Sequence, residues 1–96
     1  MMKHTPEIEQ FYRAILLLRN EEECYKMFAD ICTVKELQAI AQRLEVAAQL
    51  SAGKNYNAVS ESTGASSATI SRVNKCLLYG DGGYEIVLKR LEETKC

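Results

Sequence analysis

The residues that could do chemistry are few, and their spacing does not suit catalysis or metal binding. The four cysteines, Cys24, Cys32, Cys76 and Cys96, form no Cys-x-x-Cys pair, and the single histidine, His4, lies at a terminus expected to fray. No zinc or other metal site is predicted from that set, and no cofactor. Nucleophilic side chains are present, but no histidine stands near them in sequence and the carboxylates fall mainly on helix surfaces, which reads against an enzyme. Gly80, Gly82 and Gly83 lack the preceding strand and the following Lys-Ser or Lys-Thr that a phosphate loop requires. The segment from Tyr56 to Gly80, YNAVSESTGASSATISRVNKCLLYG, is more informative. Within it Ser67, Ala68, Thr69 and Ser71 are short enough to permit close approach to another surface, and Arg72 and Lys75 follow as cations able to reach phosphate or guanine. This is the chemistry of recognition.

Those side chains must be held on a helix whose amino end is presented outward. Tyr56 to Ser62 is long enough for two helical turns, Gly64 sits in the connection, and Ser66 can cap a second helix from Ser67 to about Tyr79. Ile70, Val73, Cys76 and Leu77 recur at three and four residues and can pack on Val59 and on the preceding helix. Two short helices joined by a Gly-containing turn form a helix-turn-helix, whose second helix can enter the major groove of a duplex. Upstream, Thr33-Val34-Lys35-Glu36 is a capping box that opens a long helix ending at Gly53. Its apolar stripe reads Leu37, Ile40, Ala41, Leu44, Ala47, Ala48 and Leu50. Before it, Glu7 to Asn20 has a helical period, with Thr5 as cap and Pro6 at the first helical position. Glu21, Glu22 and Glu23 then lead a short helix with Cys24, Tyr25, Phe28 and Ile31 on its apolar side, and suit its dipole or an acidic contact surface. Asp81-Gly82-Gly83 makes a turn with Asp81 available as a cap, and Tyr84, Val87, Leu88 and Leu91 mark a last amphipathic helix.

Length and charge narrow the reading. Ninety-six residues give room for one domain, spanning 1–96: dimerisation helices at 5–32, a central helix at 33–53, the helix-turn-helix at 56–79 and a closing helix at 81–94. A hydrophobic fraction of 47% with 26% charged residues is that of an ordinary globular protein. The net charge is −1, so no polybasic surface covers the whole chain. Locally, Lys35, Arg43, Lys54, Arg72 and Lys75 outweigh Glu36, Glu45 and Glu61, which gathers a balance of +2 around the helix-turn-helix. The apolar run Ile15 to Leu18 is too short for a signal peptide and nothing approaches a membrane span, so a cytoplasmic protein with free thiols is expected, without membrane association. Phe11, Tyr12, Tyr25 and Phe28 supply more aromatic bulk than one short chain needs, which marks the first two helices as a dimer interface. On this pattern the helix-turn-helix could serve duplex DNA, plain helical packing or a protein partner. Arg43 could be solvated, pair with a glutamate, or meet an anion or DNA phosphate. Arg72 could meet phosphate or a base, a ligand, or an ion-pair partner.

Two stretches, TVKELQAIAQRLEVAAQLSAGKNY from Thr33 to Tyr56 and TGASSATISRVNKCLLYG from Thr63 to Gly80, resemble the Trp repressor superfamily, and within it the small TrpR-related, YerC/YecD-like bacterial branch. The resemblance implies an all-α, six-helix subunit in an intertwined homodimer that binds double-stranded operator DNA through two helix-turn-helix heads, as a transcriptional regulator of the repressor type. A helical protein-interaction module without DNA binding is the alternative. DNA contact is expected from Ser67, Ala68, Thr69, Ser71, Arg72 and Lys75. In the tryptophan-responsive repressor the corepressor lies between two arginines, which Arg43 and Arg72 match, while Thr33 and Thr69 match nearby threonines. Val73 stands where that protein has a glycine making room for the indole, and Cys76 where it has a serine near the ligand's amino group. An effector pocket carried over from the family would therefore comprise Thr33, Arg43, Arg72, Val73 and Cys76. Two extra methyl groups in place of the ring cost about 1–3 kcal/mol or more, so any small-molecule effector is expected to be something other than tryptophan.

Overall fold

The first turn of a helix leaves its amides without carbonyl partners, and five of the six described helices begin where a side chain supplies one. In the computed structural model, which describes residues 3–95, the described residues form six α-helices and no strand: α1 Pro6–Ile15, α2 Glu21–Ile31, α3 Val34–Ser51, α4 Tyr56–Thr63, α5 Ser67–Tyr79 and α6 Gly83–Glu93. This is the all-α, six-helix subunit expected from the sequence. Thr5 accepts from the Ile8 amide at 3.2 Å, Asn55 from Ala58 at 2.9 Å and Ser66 from Thr69 at 3.2 Å. At α3 the capping box is closed in both directions: the Glu36 amide donates to the Thr33 hydroxyl at 3.1 Å, and the Thr33 amide donates to the Glu36 carboxylate at 2.8 Å. A reciprocal cap of this kind contributes about 1 kcal/mol.

Three sequence expectations change here. The helical period from Glu7 does not run to Asn20: α1 stops at Ile15, and Leu17 and Leu18 continue with short turns, their amides donating to Ala14 and Ile15 at 3.1 Å. The cause lies downstream, because Asn20 is extended and caps α2 through Glu23, whose carboxylate in turn accepts the Arg19 amide at 2.8 Å. An apolar period continued across a residue that must leave the helix. At α6 the N-cap is Gly82, in the left-handed region at φ 86°, and not Asp81. The third change concerns the thiols: Cys24 and Cys76 are exposed rather than on covered apolar sides, and Cys32 is half-buried, while Cys96 lies outside the described residues.

The chain divides into two compact units, Met1–Leu37 and Gln38–Cys96. The first contains α1, α2 and the opening turn of α3. None of its described residues is fully buried; Phe11, Ile15, Leu18, Met27 and Phe28 are half-buried, with the Phe11 and Tyr12 rings 5.6 Å apart. Leu16 and Leu17 remain 83% and 78% exposed. The second unit holds the core: Val46 and Ala47 of α3, Val59 of α4, Ala65 of the turn, and Ile70 and Val73 of α5, with Leu50, Leu77, Tyr84 and Leu88 packed against them. Fully burying Val46, Val59, Ile70 and Val73 contributes about 1.5–3 kcal/mol each.

The covered side of α3 is not centred on the stripe read from the sequence. Val46, outside that stripe, is fully buried, whereas Ile40 within it is 52% exposed. At 3.6 residues per turn the buried row lies about 100° around the helix from the centre of the expected one. α3 therefore carries a very wide apolar sector, of which α4 and α5 cover one edge.

Candidate nucleic-acid interface

The connection between α4 and α5 sets the direction of the second helix. Gly64 has φ 75°, a left-handed conformation that a side chain at this position would disfavour, and its amide donates to the Ser60 carbonyl at 2.9 Å. Around it the Thr63 hydroxyl donates to the Val59 carbonyl at 2.7 Å and accepts the Ala65 amide at 3.1 Å. The Ser60 hydroxyl donates to the Ala65 carbonyl at 3.2 Å, and Ala65 itself is buried. The turn is closed by its own short polar side chains, a function that the sequence pattern alone had not assigned to Ser60 or Thr63.

α5 then sorts its residues by face. Ile70 and Val73 point into the core, and Ser67, Ala68, Ser71, Arg72 and Lys75 are exposed. These five expected contact residues fall at helical spacings that place them on one outward side. Thr69 differs: it is half-buried, and the Ser66 hydroxyl lies 3.2 Å from its own. Its hydroxyl is thus part of the cap that starts the helix. The exposed tip offers two hydroxyls and one methyl, with a guanidinium and an ammonium one and two turns further along. The amino-terminal dipole of a 13-residue helix adds partial positive charge at that tip.

The residues of the expected effector pocket have other surroundings. The Thr33 hydroxyl accepts the Glu36 amide in the capping box. Arg43 and Arg72 are exposed on α3 and α5. Val73 is 2% exposed, its methyl groups within the core cluster of Val46, Ala47, Val59 and Ile70. Cys76 is exposed because it lies about 100° around α5 from the Ile70–Val73–Leu77 row. Its carbonyl oxygen would collide with a Cβ at position 80, where the chain has glycine. A cleft of about 910 Å³ opens between α3, α5 and α6, floored by Leu44, Ala48, Leu77 and Leu88 and edged by Glu45, Glu85 and Lys89. None of Thr33, Arg43, Arg72, Val73 and Cys76 lines it. Among the described residues no group of three or more His, Cys, Asp or Glu side chains is placed to hold a metal ion, and no helix is long and apolar enough to cross a membrane.

Six helices with a capped helix-turn-helix at the fourth and fifth, presenting a short-side-chain tip, define a TrpR-like helix-turn-helix protein. The chain belongs to the Trp repressor protein family, which matches residues 6–92. It is 51% identical over 89 residues to the uncharacterized protein YerC of Bacillus subtilis (strain 168), covering 93% of this chain and 86% of that one, which puts it in the TrpR-related, YerC-like branch. Its fold is similar to the crystal structure of a candidate Trp repressor from Staphylococcus aureus, with a TM-score of 0.90 and 42% identity over 93% of this chain and 89% of that one. It is equally close to a TrpR-like protein from Eubacterium eligens ATCC 27750, with a TM-score of 0.89 and 46% identity over 92% and 91% of the two chains. The family is one of regulators rather than enzymes.

Proposed function

We propose that this protein is a cytoplasmic homodimer that binds double-stranded DNA sequence-specifically and regulates transcription as a repressor, with residues 1–96 acting as one Trp-repressor-like domain. The observation that carries the reading is the outward face of α5. Ser67, Ala68 and Ser71 can approach base edges while Arg72 and Lys75 reach phosphate or guanine, on a helix whose buried side is fixed by Ile70 and Val73. Thr69 supports the tip through its cap. Membership of the Trp repressor family supports the same use.

Pairing of two chains is supported by apolar surface that one chain leaves uncovered. Tyr12, Leu16, Leu17 and Tyr25 are 61–83% exposed in the first unit, and Ile40, Ile86, Val87 and Leu91 are 45–52% exposed in the second. The uncovered edge of α3 belongs to the same set. Intertwined pairing of the N-terminal helices would bury these side chains and set two heads about 34 Å apart, one turn of DNA. Tryptophan is not the effector in this reading, because Val73 fills the space beneath α5.

Selection from a random duplex library with purified protein tests the proposal. The expected product is a palindrome with half-sites about one helical turn apart. Failure of a folded dimer to enrich any motif at low salt would favour a helical protein-interaction module instead.

A further inference from the structure

The end of α4 is gripped from a second helix. Thr63 is its last residue, and the Thr63 carbonyl has no amide of its own helix to accept from. The side-chain amide of Gln42, 21 residues earlier on α3, donates to it at 3.1 Å in a half-buried position. One residue before, the Ser62 hydroxyl donates to the side-chain carbonyl of Gln49, whose amide group donates to Glu45 at 2.9 Å. Gln42 and Gln49 are seven residues apart, two helical turns, so both reach out from one side of α3. Between that helix and the first half of α5 the seam is filled by Val46, Ala47 and Val73, each at most 2% exposed, and the cleft opens only along the second half, from Asn74 onward.

We propose that Gln42 is a positioning residue of the reading head: by holding the carbonyl end of α4 against α3 it sets the angle at which α5 is presented, so that the head is aligned without a bound effector. The proposal rests on the DNA-binding reading above and deepens it. A head that waits for a ligand beneath its second helix needs open space there, and a mobile α4 to swing. Here the seam under the first half of α5 holds core methyl groups, and the carbonyl end of α4 is tied. Gln42 would act through Thr63 and the turn, and would not touch DNA.

The test uses the full-length protein, unfolded in urea and refolded to strip small molecules, and compares wild type with Gln42→Met and Gln42→Lys. Methionine keeps the length and loses the donor; lysine keeps a donor of similar reach. Two readouts are taken, amide exchange at Gly64 and Ala65, and the ratio of affinities for a selected duplex and a scrambled one at fixed salt. Loss of one such hydrogen bond predicts exchange about fivefold faster in Gln42→Met and a ratio lowered by at most that factor, both restored in Gln42→Lys. A side chain serving stability alone would move the melting temperature and leave the ratio as it was. The proposal is overturned if Gln42→Met leaves exchange or ratio unchanged, or if refolded wild type recovers its preference only after cell metabolites are added. Refolded wild type that prefers no duplex, with or without metabolites, overturns the DNA-binding reading and the head-positioning role with it. Exchange then still reports whether Gln42 holds the turn.

Discussion

Replacing Arg72 and Lys75 together by alanine should change how DNA binding responds to salt more than it changes the protein. Both side chains are exposed on α5, and neither belongs to the buried Ile70–Val73 row. Alanine is the best helix former, and exposed substitutions of this kind usually stay within about 0.5 kcal/mol of wild-type stability. The double change removes the whole +2 balance of residues 34–80. A dimer would lose up to four phosphate contacts, and each contributes about 0.9 to the slope of log affinity against log salt, so the slope should fall by about 3.6. From 50 to 200 mM salt, wild-type affinity should then drop about 150-fold further than that of the variant; with only one of the two residues on phosphate, the excess is about 12-fold. Fluorescence anisotropy with one labelled duplex across that salt range measures both slopes, with circular dichroism and sedimentation as controls for helicity and pairing. A folded dimeric variant whose affinity keeps the wild-type slope would refute the assignment of this face to DNA.

Other outcomes follow from the same geometry. Ile70→Ala should cost about 2–5 kcal/mol in urea unfolding, because a side chain 1% exposed loses its packing against Val46 and Val59; a loss under 1 kcal/mol would contradict the core described above. Sedimentation equilibrium at micromolar concentration should give twice the chain mass, and thermal midpoints should rise with protein concentration; a single-chain mass throughout would remove the paired model of binding. Calorimetry with millimolar L-tryptophan should show no saturable heat, and a dissociation constant below about 100 μM would mean that Val73 leaves room for the indole after all.

Where a side chain satisfies backbone groups close by in sequence, the fold was readable in advance. Thr33 with Glu36, Ser66 with Thr69, and Gly64 at the turn each act within three or four residues, and each stands where the pattern puts it. Reading failed where the deciding partner lay elsewhere. Leu16 to Leu18 continue an apolar period, but Asn20 and Glu23 claim the following backbone for the next helix. Val46 looks peripheral on α3 in the sequence because the row that α4 and α5 cover depends on their direction, which is set by contacts remote in sequence. Gln42 gave no signal at all, being a polar residue on a polar face until its partner 21 residues away is known. Of the candidate contact residues, the helical spacing of Ser67, Ala68, Ser71, Arg72 and Lys75 was enough to put them on one outward side. Thr69 needed the cap geometry to be told apart.

None of the first unit's described side chains is completely buried, and with the function proposed above that shapes how much active protein a cell can hold. An unpaired chain shows Leu16 and Leu17 to its surroundings, the kind of sticky, accessible segment on which quality-control proteases act. With pairing as proposed, the population of dimers grows as the square of the free chain concentration at low levels. Halving synthesis would then cut the active form about fourfold, and would leave the surviving single chains exposed for longer. Degradation sharpens this dependence, since it removes the single chains first. A gene product built this way converts a gradual change in its own expression into a steep change in occupancy of whatever it controls.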